Sequence, residues 1–375
     1  MNKHLFKLVY LGSFMTSFSY GVMLTLPLFL STTLNLSLIK SGQIISMGII
    51  GVIVSITSIP YFLKYISTSV MASMGSFIYT IAIVLILYTN SIFLYLAELL
   101  LGAGWGIIYT LGPIIVSSIS LEKELSKNFM FLSAFNMLGA GLSPVIVKIV
   151  IDQDSAIENI FIFAALLSFL ASIIFLSVNI QKNKNNKSLP ILPIIKIIFT
   201  SRSIIPLFMV FLGACIYISM MNFQFVFATN NNLNFSVFYI SYTIALLFGR
   251  FFLSEFILKI SPPTAILSLL LLMLVSLCLF LITTNNIFYA LPSSLLGISY
   301  GLVYPLIQTQ MVNNISSEKR STYLTIFSLS YFLGVFGYPY IYTLSVDTGG
   351  ILVSFSVLIF LCILDIVFGL FLFKK

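Results

Sequence analysis

The chain has very few charged residues for its length. They make up 7% of its 375 residues, against about 25% in an ordinary soluble domain. So few polar groups cannot solvate a globule of this size, which excludes a soluble enzyme or binding domain. The mean hydropathy of +1.12 agrees, and we predict that a lipid bilayer surrounds most of the chain.

Histidine and cysteine are nearly absent. The one histidine, His4, lies near the N-terminus, and Cys215, Cys278 and Cys362 lie far apart inside apolar runs. Metal sites and disulfide frameworks need clustered or regularly spaced ligands, so we predict no metal and no cofactor. An enzyme embedded in the membrane would need a nucleophile with a base, or metal ligands, at bilayer depth. The sequence shows neither, and we predict that the protein is not an enzyme.

Long apolar runs separated by short polar breaks are what the sequence does have. A helix crosses a bilayer with about 20 apolar residues, and only helices or closed barrels satisfy their backbone groups in lipid. The runs are too long and too little alternating for barrel strands. They predict an all-α membrane protein with twelve transmembrane helices (spans 1 to 12), at residues 6–31, 38–62, 67–89, 91–119, 128–150, 158–180, 203–228, 236–258, 263–284, 286–313, 321–346 and 350–373.

The basic residues lie at the ends of these runs and form no single face, so we predict no nucleic-acid partner. Lys and Arg are enriched on the cytoplasmic side of membrane proteins. If the N-terminus is cytoplasmic, the outer segments hold only Lys40 and Lys148. The inner segments hold Lys3, Lys7, Lys64, Lys123, Lys127, Lys182, Lys184, Lys187, Lys196, Arg202, Lys259, Lys319, Arg320, Lys374 and Lys375. Both termini are therefore predicted to be cytoplasmic, in a cell inner (plasma) membrane.

The longest polar break, 181–202, is predicted to be a basic cytoplasmic linker. It separates an N-terminal six-helix bundle (1–180) from a C-terminal one (203–375). The halves resemble each other at one fixed offset of about 195 residues. Matched pairs include Gly102 with Gly297, Gly106 with Gly301, Tyr109 with Tyr304, Gly139 with Gly334, Pro144 with Pro339, Asp152 with Asp347 and Lys64 with Lys259. Two parallel six-helix repeats are typical of transporters that rock about a central site.

Several segments resemble the major facilitator superfamily, over nearly the whole chain. They are Tyr20–Leu28 in span 1, Leu101–Gly106 in span 4, Phe238–Thr243 with Gly249-Arg250 in span 8, Gly301–Pro305 in span 10, Glu318–Arg320 in the following loop, and Asp347–Gly350. The resemblance implies two pseudo-symmetric six-helix bundles and a solute site at the membrane midplane. It also implies a conformational loop motif, to which Lys64, Lys259, Glu318 and Arg320 correspond.

The sequence departs from the family pattern at several places. Leu63 stands where the loop between spans 2 and 3 usually carries Asp, and Glu98 stands at the arginine position of span 4. The antiporter motif of span 5 is reduced to Ser143-Pro144. These departures weigh against the usual proton-antiport machinery.

Ionisable residues at span depth are costly and are functional candidates. Glu98, partly shielded from water, is the proton-coupling candidate. Arg250 is a candidate anion clamp, or else a structural partner of backbone carbonyls. Glu255 is expected to be solvated, and Asp365 is expected to be structural.

Uncharged polar residues within the spans are candidates for solute binding, or for contacts between helices. They are Ser17, Tyr20, Asn136, Asn222, Gln224, Gln308 and Gln310. Tyr109 and Tyr304 are expected to reflect shared packing, and the remaining aromatic residues are expected to face lipid and its interfaces. The glycines Gly102, Gly104 and Gly106 are expected to allow close helix contact.

The function expected first is proton-coupled export of a metabolite or drug-like molecule by alternating access. Spans 8 and 10 are also similar to those of metabolite exporters, including those for opine-type metallophores. Arg250 and Glu98 favour a zwitterionic or anionic small molecule. The alternatives are an uptake symporter for a small organic anion or zwitterion, and, with less support, a channel or a non-transporting receptor.

Overall fold

The computed structural model describes residues 3–88, 90–120, 125–153, 156–178, 203–257, 259–312 and 317–373. Within these ranges, the first half contains eight helices: α1 (Lys3–Met23), α2 (Leu26–Thr32), α3 (Leu38–Ser46), α4 (Gly48–Phe62), α5 (Thr68–Ile86), α6 (Ser91–Ile119), α7 (Leu125–Asp152) and α8 (Ile157–Ser177). Side chains cap α5 and α6, since Ser67 accepts a hydrogen bond from the Val70 amide and Asn90 accepts one from the Ile92 amide. Both are polar residues that favour helix starts.

The second half repeats this pattern. Its helices are α9 (Ile204–Asn230), α10 (Phe235–Phe248), α11 (Ser254–Ile257), α12 (Pro262–Phe280), α13 (Asn286–Val312), α14 (Ser317–Gly337) and α15 (Pro339–Phe373), with a π-helical turn at Gly249–Leu253 between α10 and α11. The predicted linker at 181–202 lies outside the described residues.

Eleven helical stretches are long and apolar enough to cross a membrane in the described part of the chain. The last, Thr322–Phe373, has 52 residues, about twice what one crossing needs. Gly350 divides it, with a positive φ of 69° that a side chain would disfavour. The division gives the twelve predicted spans. Large apolar side chains such as Ile92 and Leu352 are exposed on the helix surfaces, as expected of a lipid-facing exterior.

Two compact units make up the chain. The first comprises Met1–Phe29 and Ile44–Pro190, and the second comprises Leu30–Gln43 and Ile191–Lys375. Leu30–Gln43, which lies within the predicted N-terminal bundle, belongs to the second unit. There Gly42 packs directly against the Thr343 side chain.

The same helix pairs pack together in each unit. In the first, α1 packs on α7 and α8, α6 packs on α4 and α5, and α5 packs on α8. In the second, α9 packs on α14 and α15, α13 packs on α10 and α12, and α12 packs on α15. Each pair in one unit has its counterpart six spans later. The internal repeat in the sequence is therefore a repeat of packing.

The matched glycines lie at corresponding helix contacts. Gly102 faces the backbone of α4 at Gly48, and its counterpart Gly297 faces the backbone of α10 at Tyr242. Gly139 faces α1, and its counterpart Gly334 faces α9. Because these positions leave no room for a Cβ atom, only glycine allows the helices to approach so closely. The expectation that the span 4 glycines serve close helix contact is confirmed.

Candidate functional site

A parallel aromatic stack lies inside the first unit. The rings of Tyr20 on α1 and Trp105 on α6 have centroids 4.2 Å apart and planes 4° from parallel. Tyr109, one turn further along α6, lies 5.6 Å from the Trp105 ring, and Tyr79 on α5 lies 6.2 Å from it. Three spans thus bring four aromatic rings together in one cluster.

Glu98 is buried near this cluster, with 3% of its surface exposed. It precedes Trp105 by two helical turns on α6, so both side chains lie on one face of the helix. Its carboxyl group has no ion-pair partner in the described parts of the chain. An uncompensated charge at such a site would cost several kcal/mol. A carboxyl group held there is suited to taking up and releasing a proton.

Ser17 and Asn136 are brought together by the packing of α1 on α7. The Ser17 hydroxyl donates to Asn136 Oδ1 at 3.2 Å. Ser17 is buried and Asn136 is half-buried. This bond ties the two helices together, so the structure favours the helix-contact alternative for this pair.

A second stack lies inside the second unit. Tyr217 on α9 and Tyr300 on α13 have centroids 4.9 Å apart and planes 12° from parallel. Tyr304 lies 6.4 Å from the Tyr300 ring, and Tyr331 on α14 lies 5.4 Å from Tyr304. Tyrosines from three spans therefore form a continuous aromatic cluster.

Buried polar atoms accompany the second unit's helices. The hydroxyl groups of Tyr242 and Tyr338 and the Oδ1 atom of Asn222 have no hydrogen-bond partner among the described residues. Unsatisfied buried polar groups cost about 1–3 kcal/mol each and are few in native proteins. A solute or water that bonds to them would recover this energy.

The two stacks occupy equivalent positions in the repeat. The offset of 195 residues that matches Tyr109 to Tyr304 also matches Trp105 to Tyr300. In each unit the matched residue stacks on a tyrosine of the first helix of that unit, Tyr20 or Tyr217. Each unit thus holds one such aromatic stack.

Arg250 lies at the π-helical turn after α10, a feature often found at functional sites. Its Nε donates to the Gly301 carbonyl oxygen on α13 at 3.2 Å. Within a helix that oxygen would accept from the amide of residue 305, but Pro305 has no N–H. Arg250 therefore satisfies a carbonyl that the proline leaves open. Of the two alternatives for Arg250, the bond supports a structural role for at least one edge of its guanidinium group.

The bond predicts an energetic coupling between Arg250 and Pro305. Arg250→Met should destabilise the protein by about 1–3 kcal/mol, because the Gly301 carbonyl loses its donor. In a Pro305→Ala background the loss should be smaller, since the amide of residue 305 can then bond to Gly301. Thermal unfolding of the four proteins in detergent measures the coupling. Pro292→Ala, in the same helix, is the control; equal losses in all three backgrounds would contradict the assignment.

The remaining polar candidates differ in burial. Gln224 is buried and its Oε1 accepts a hydrogen bond from the Tyr289 hydroxyl at 2.6 Å. Gln308 and Gln310 are half-buried on α13. Glu255 is exposed, as expected for a solvated group, and Asp365 is buried with 1% of its surface exposed.

The candidate loop motif is only partly within the described structure. Lys64 and Lys259 are exposed, and the Lys259 ammonium lies 5.5 Å from the centre of the Phe256 ring. The side chains of Glu318 and Arg320 lie outside the described residues. Within the described ranges, no group of three or more His, Cys, Asp or Glu side chains is placed to hold a metal ion.

One expectation was wrong. The tyrosines do not mainly face lipid: more of them are buried than exposed, including Tyr217, Tyr239, Tyr242 and Tyr300. The reason is that a phenol ring fills interior space as well as any apolar side chain, and tertiary packing decides where it lies. Trp105, Tyr217 and Tyr300 were therefore missed as candidates, although the repeat offset already matched Trp105 to Tyr300.

Apolar helices long enough to cross a membrane, and two units with the same helix packing, define the chain as a polytopic α-helical membrane protein. Residues 9–339 match the model of the Major Facilitator Superfamily. Since the match covers most of the chain, the protein belongs to this superfamily of transporters.

Several solved structures have a similar fold. A point mutant of the nucleoside transporter NupG is similar with a TM-score of 0.77 and 16% identity, covering 99% of this chain and 100% of that one. The transporter FucP in its outward conformation gives 0.68 and 14%, covering 99% of each chain. A point mutant of the E. coli fucose:proton symporter FucP gives 0.66 and 14%, covering 99% of this chain and 98% of that one. No curated protein sequence matches significantly. At these identities the likeness concerns the fold.

Proposed function

We propose that the protein is a proton-coupled transporter that takes up a small, uncharged solute containing a flat ring. The matched stacks, Tyr20 on Trp105 and Tyr217 on Tyr300, carry the proposal. Aromatic side chains bind flat rings through their faces with little dependence on the ring's identity. The unpartnered buried oxygens of Tyr242, Tyr338 and Asn222 in the second unit would supply hydrogen bonds to neutral groups of such a solute.

The sequence led us to expect an anionic or zwitterionic solute, because Arg250 and Glu98 are charged residues within spans. The structure supports such a solute less well than a neutral one. The Arg250 Nε already bonds to the Gly301 carbonyl. Glu98 is buried without a cation partner in the described residues, which suits a proton better than a cationic group of the solute. We therefore favour a neutral ring and assign Glu98 to the proton.

The proposals of proton coupling and of uptake are based on the similar solved structures. A nucleoside, the solute named for one of them, carries a flat base, and another of these proteins is a fucose:proton symporter. These likenesses support uptake with protons. The similarity of spans 8 and 10 to metabolite exporters supports export as the second candidate, and the direction of an imposed proton gradient separates the two.

The charge asymmetry supports a location in the inner membrane with both termini cytoplasmic. Only Lys40 and Lys148 lie in segments that would then face outward. In this orientation the linker at 181–202 would also be cytoplasmic.

Replacing Trp105 with an aliphatic residue should weaken solute binding more than replacing it with a smaller aromatic residue. Base–aromatic stacking is worth about 1–3 kcal/mol, so Trp105→Leu should raise the half-saturation concentration about 5- to 150-fold, whereas Trp105→Phe should stay within about threefold. Counterflow of labelled uridine and of labelled fucose in proteoliposomes measures both. Phe360→Leu, at a lipid-exposed aromatic position (57% exposed), should change nothing.

The single tryptophan permits a direct binding test as well. Trp105 is the only tryptophan in the chain, so a ligand that stacks on it should change the protein's intrinsic emission. Unchanged half-saturation in Trp105→Leu, together with emission insensitive to both solutes, would rule out the stack as the binding site.

A further inference from the structure

Asp365 is a buried carboxyl group in the second unit that the proposed function does not use. It lies in the last span, on α15, with 1% of its surface exposed. Its Oδ1 atom has no hydrogen-bond partner among the described residues. A structural aspartate at this depth would be expected to bond through both oxygens, because each unsatisfied buried acceptor is costly.

Gly213 connects Asp365 to the second stack. A Cβ atom added to Gly213 would lie 3.8 Å from Asp365 Oδ2 and 3.7 Å from Tyr300 Cε2. The carboxylate and the Tyr300 ring thus share one small neighbour on α9. Tyr217, which stacks on Tyr300, follows Gly213 by one helical turn. The carboxyl group therefore lies within about one helical turn of the Tyr217–Tyr300 stack.

The described helices around Asp365 offer no cation to hold it as an anion. The helices α9, α12 and α13 contain no Lys, Arg, Asp or Glu, and α15 contains only one other acid, Asp347, which is exposed. The titratable groups facing Asp365 from these helices are Cys362 on α15, Tyr300 on α13 and, beyond Cys362, Cys278 on α12.

Cys362 does not neutralise the carboxylate either. Its Sγ donates to the Leu270 carbonyl oxygen at 3.6 Å. From α9 the carboxylate meets Gly213, which has no side chain. An isolated carboxylate buried in such surroundings costs several kcal/mol, and intramembrane acids of this kind serve as proton sites in pumps and transporters.

We propose that Asp365 is a second proton-binding site, which takes up and releases a coupling proton one helical turn from the Tyr217–Tyr300 stack. Together with Glu98, this site gives each unit one buried carboxyl group near its aromatic stack. Its coupling role rests on the proposed function; its ability to bind a proton does not.

Infrared difference spectroscopy of the purified protein in liposomes, between pH 6 and pH 10, tests proton binding without any solute. We expect a protonated-carboxyl band that gives way to a carboxylate band as the pH rises. Because Glu98 should give a pair of its own, Asp365 is tested in the Glu98→Gln background. There the remaining pair should persist when Asp347→Asn, the matched control on the same helix, is added, and should disappear when Asp365→Asn is added. Asp365→Glu should retain a shifted pair and shows that loss of the bands does not reflect misfolding.

In the Glu98→Gln background, a band that is insensitive to pH, or that is retained when Asp365→Asn is added, would overturn the proposal. The coupling role has its own measurement: Asp365→Asn should lower accumulation of labelled uridine or fucose tenfold per pH unit of gradient, since each coupled proton contributes that factor. Unchanged accumulation in a variant that still exchanges solute would overturn the coupling role. If the wild-type protein transports neither solute, the proposed function is contradicted. The infrared measurement would still decide whether Asp365 binds a proton.

Discussion

Replacing Glu98 with glutamine is expected to lower proton-driven accumulation of solute at least tenfold for each pH unit of gradient. Glutamine has nearly the shape of a protonated glutamate but cannot release a proton. Each proton moved with the solute multiplies the equilibrium accumulation tenfold per pH unit. A carrier that loses one coupled proton loses that factor and keeps its solute site.

Proteoliposomes loaded at one pH and diluted into another provide the measurement. Accumulation of labelled uridine or fucose should fall in Glu98→Gln, while solute counterflow without a gradient should stay within about threefold of wild type. Glu255→Gln is the matched control, because Glu255 is exposed and its neutralisation should leave both assays unchanged. Reversing the gradient decides between uptake and export in the same experiment.

Full accumulation by Glu98→Gln would remove Glu98 from the coupling step. Loss of both accumulation and counterflow would instead place Glu98 in solute binding or folding. The Glu98→Gln/Asp365→Asn double variant extends the test: if the two carboxyl groups are the coupling sites, it should equilibrate solute without concentrating it.

The helical architecture was predictable because lipid imposes a simple rule on sequence. A span must be long, apolar and helical, so the breaks between runs located all twelve spans. The repeat was equally visible, because glycines at helix contacts cannot be replaced without moving a backbone. Gly102 and Gly297 matched in sequence and lie at corresponding contacts in the structure.

The two aromatic stacks were not predictable in the same way. Tyrosine suits a membrane interface, a protein core and a binding site equally well, so position along a span does not reveal its role. Tyr20 and Trp105 are 85 residues apart in sequence, and only the packing of the first unit brings their rings together. The match of Trp105 with Tyr300 was the one available signal.

The role of Arg250 was partly predictable from the sequence. The sequence alone shows that Pro305 leaves the Gly301 carbonyl without its helical donor. It does not show which side chain supplies the replacement, because that depends on how α10 packs on α13. A proline at span depth is thus a local signal for an unpaired carbonyl, and tertiary structure identifies its partner.

Adding a single methyl group at Gly102 or Gly297 should destabilise the protein more than any other small substitution considered. A Cβ atom at Gly102 would overlap the Gly48 carbonyl oxygen, and one at Gly297 would overlap the Tyr242 carbonyl oxygen. Both neighbours are helix backbone and cannot rotate away, so whole helices must separate. Overpacking of a core typically costs about 1–3 kcal/mol, and we expect Gly102→Ala and Gly297→Ala each to reach or exceed the upper value.

Gly112 provides the control on the same helix as Gly102. A Cβ atom there would meet only the Leu132 side chain, at 3.5 Å, which is ordinary van der Waals contact. Since alanine favours helix over glycine by about 0.5–1 kcal/mol, Gly112→Ala should leave the unfolding temperature unchanged or raise it. Thermal unfolding of the three variants in one detergent tests the ranking. Equal stability of Gly102→Ala and Gly112→Ala would mean that the close contact between α4 and α6 does not exist, and the shared packing of the two units would lose its main support.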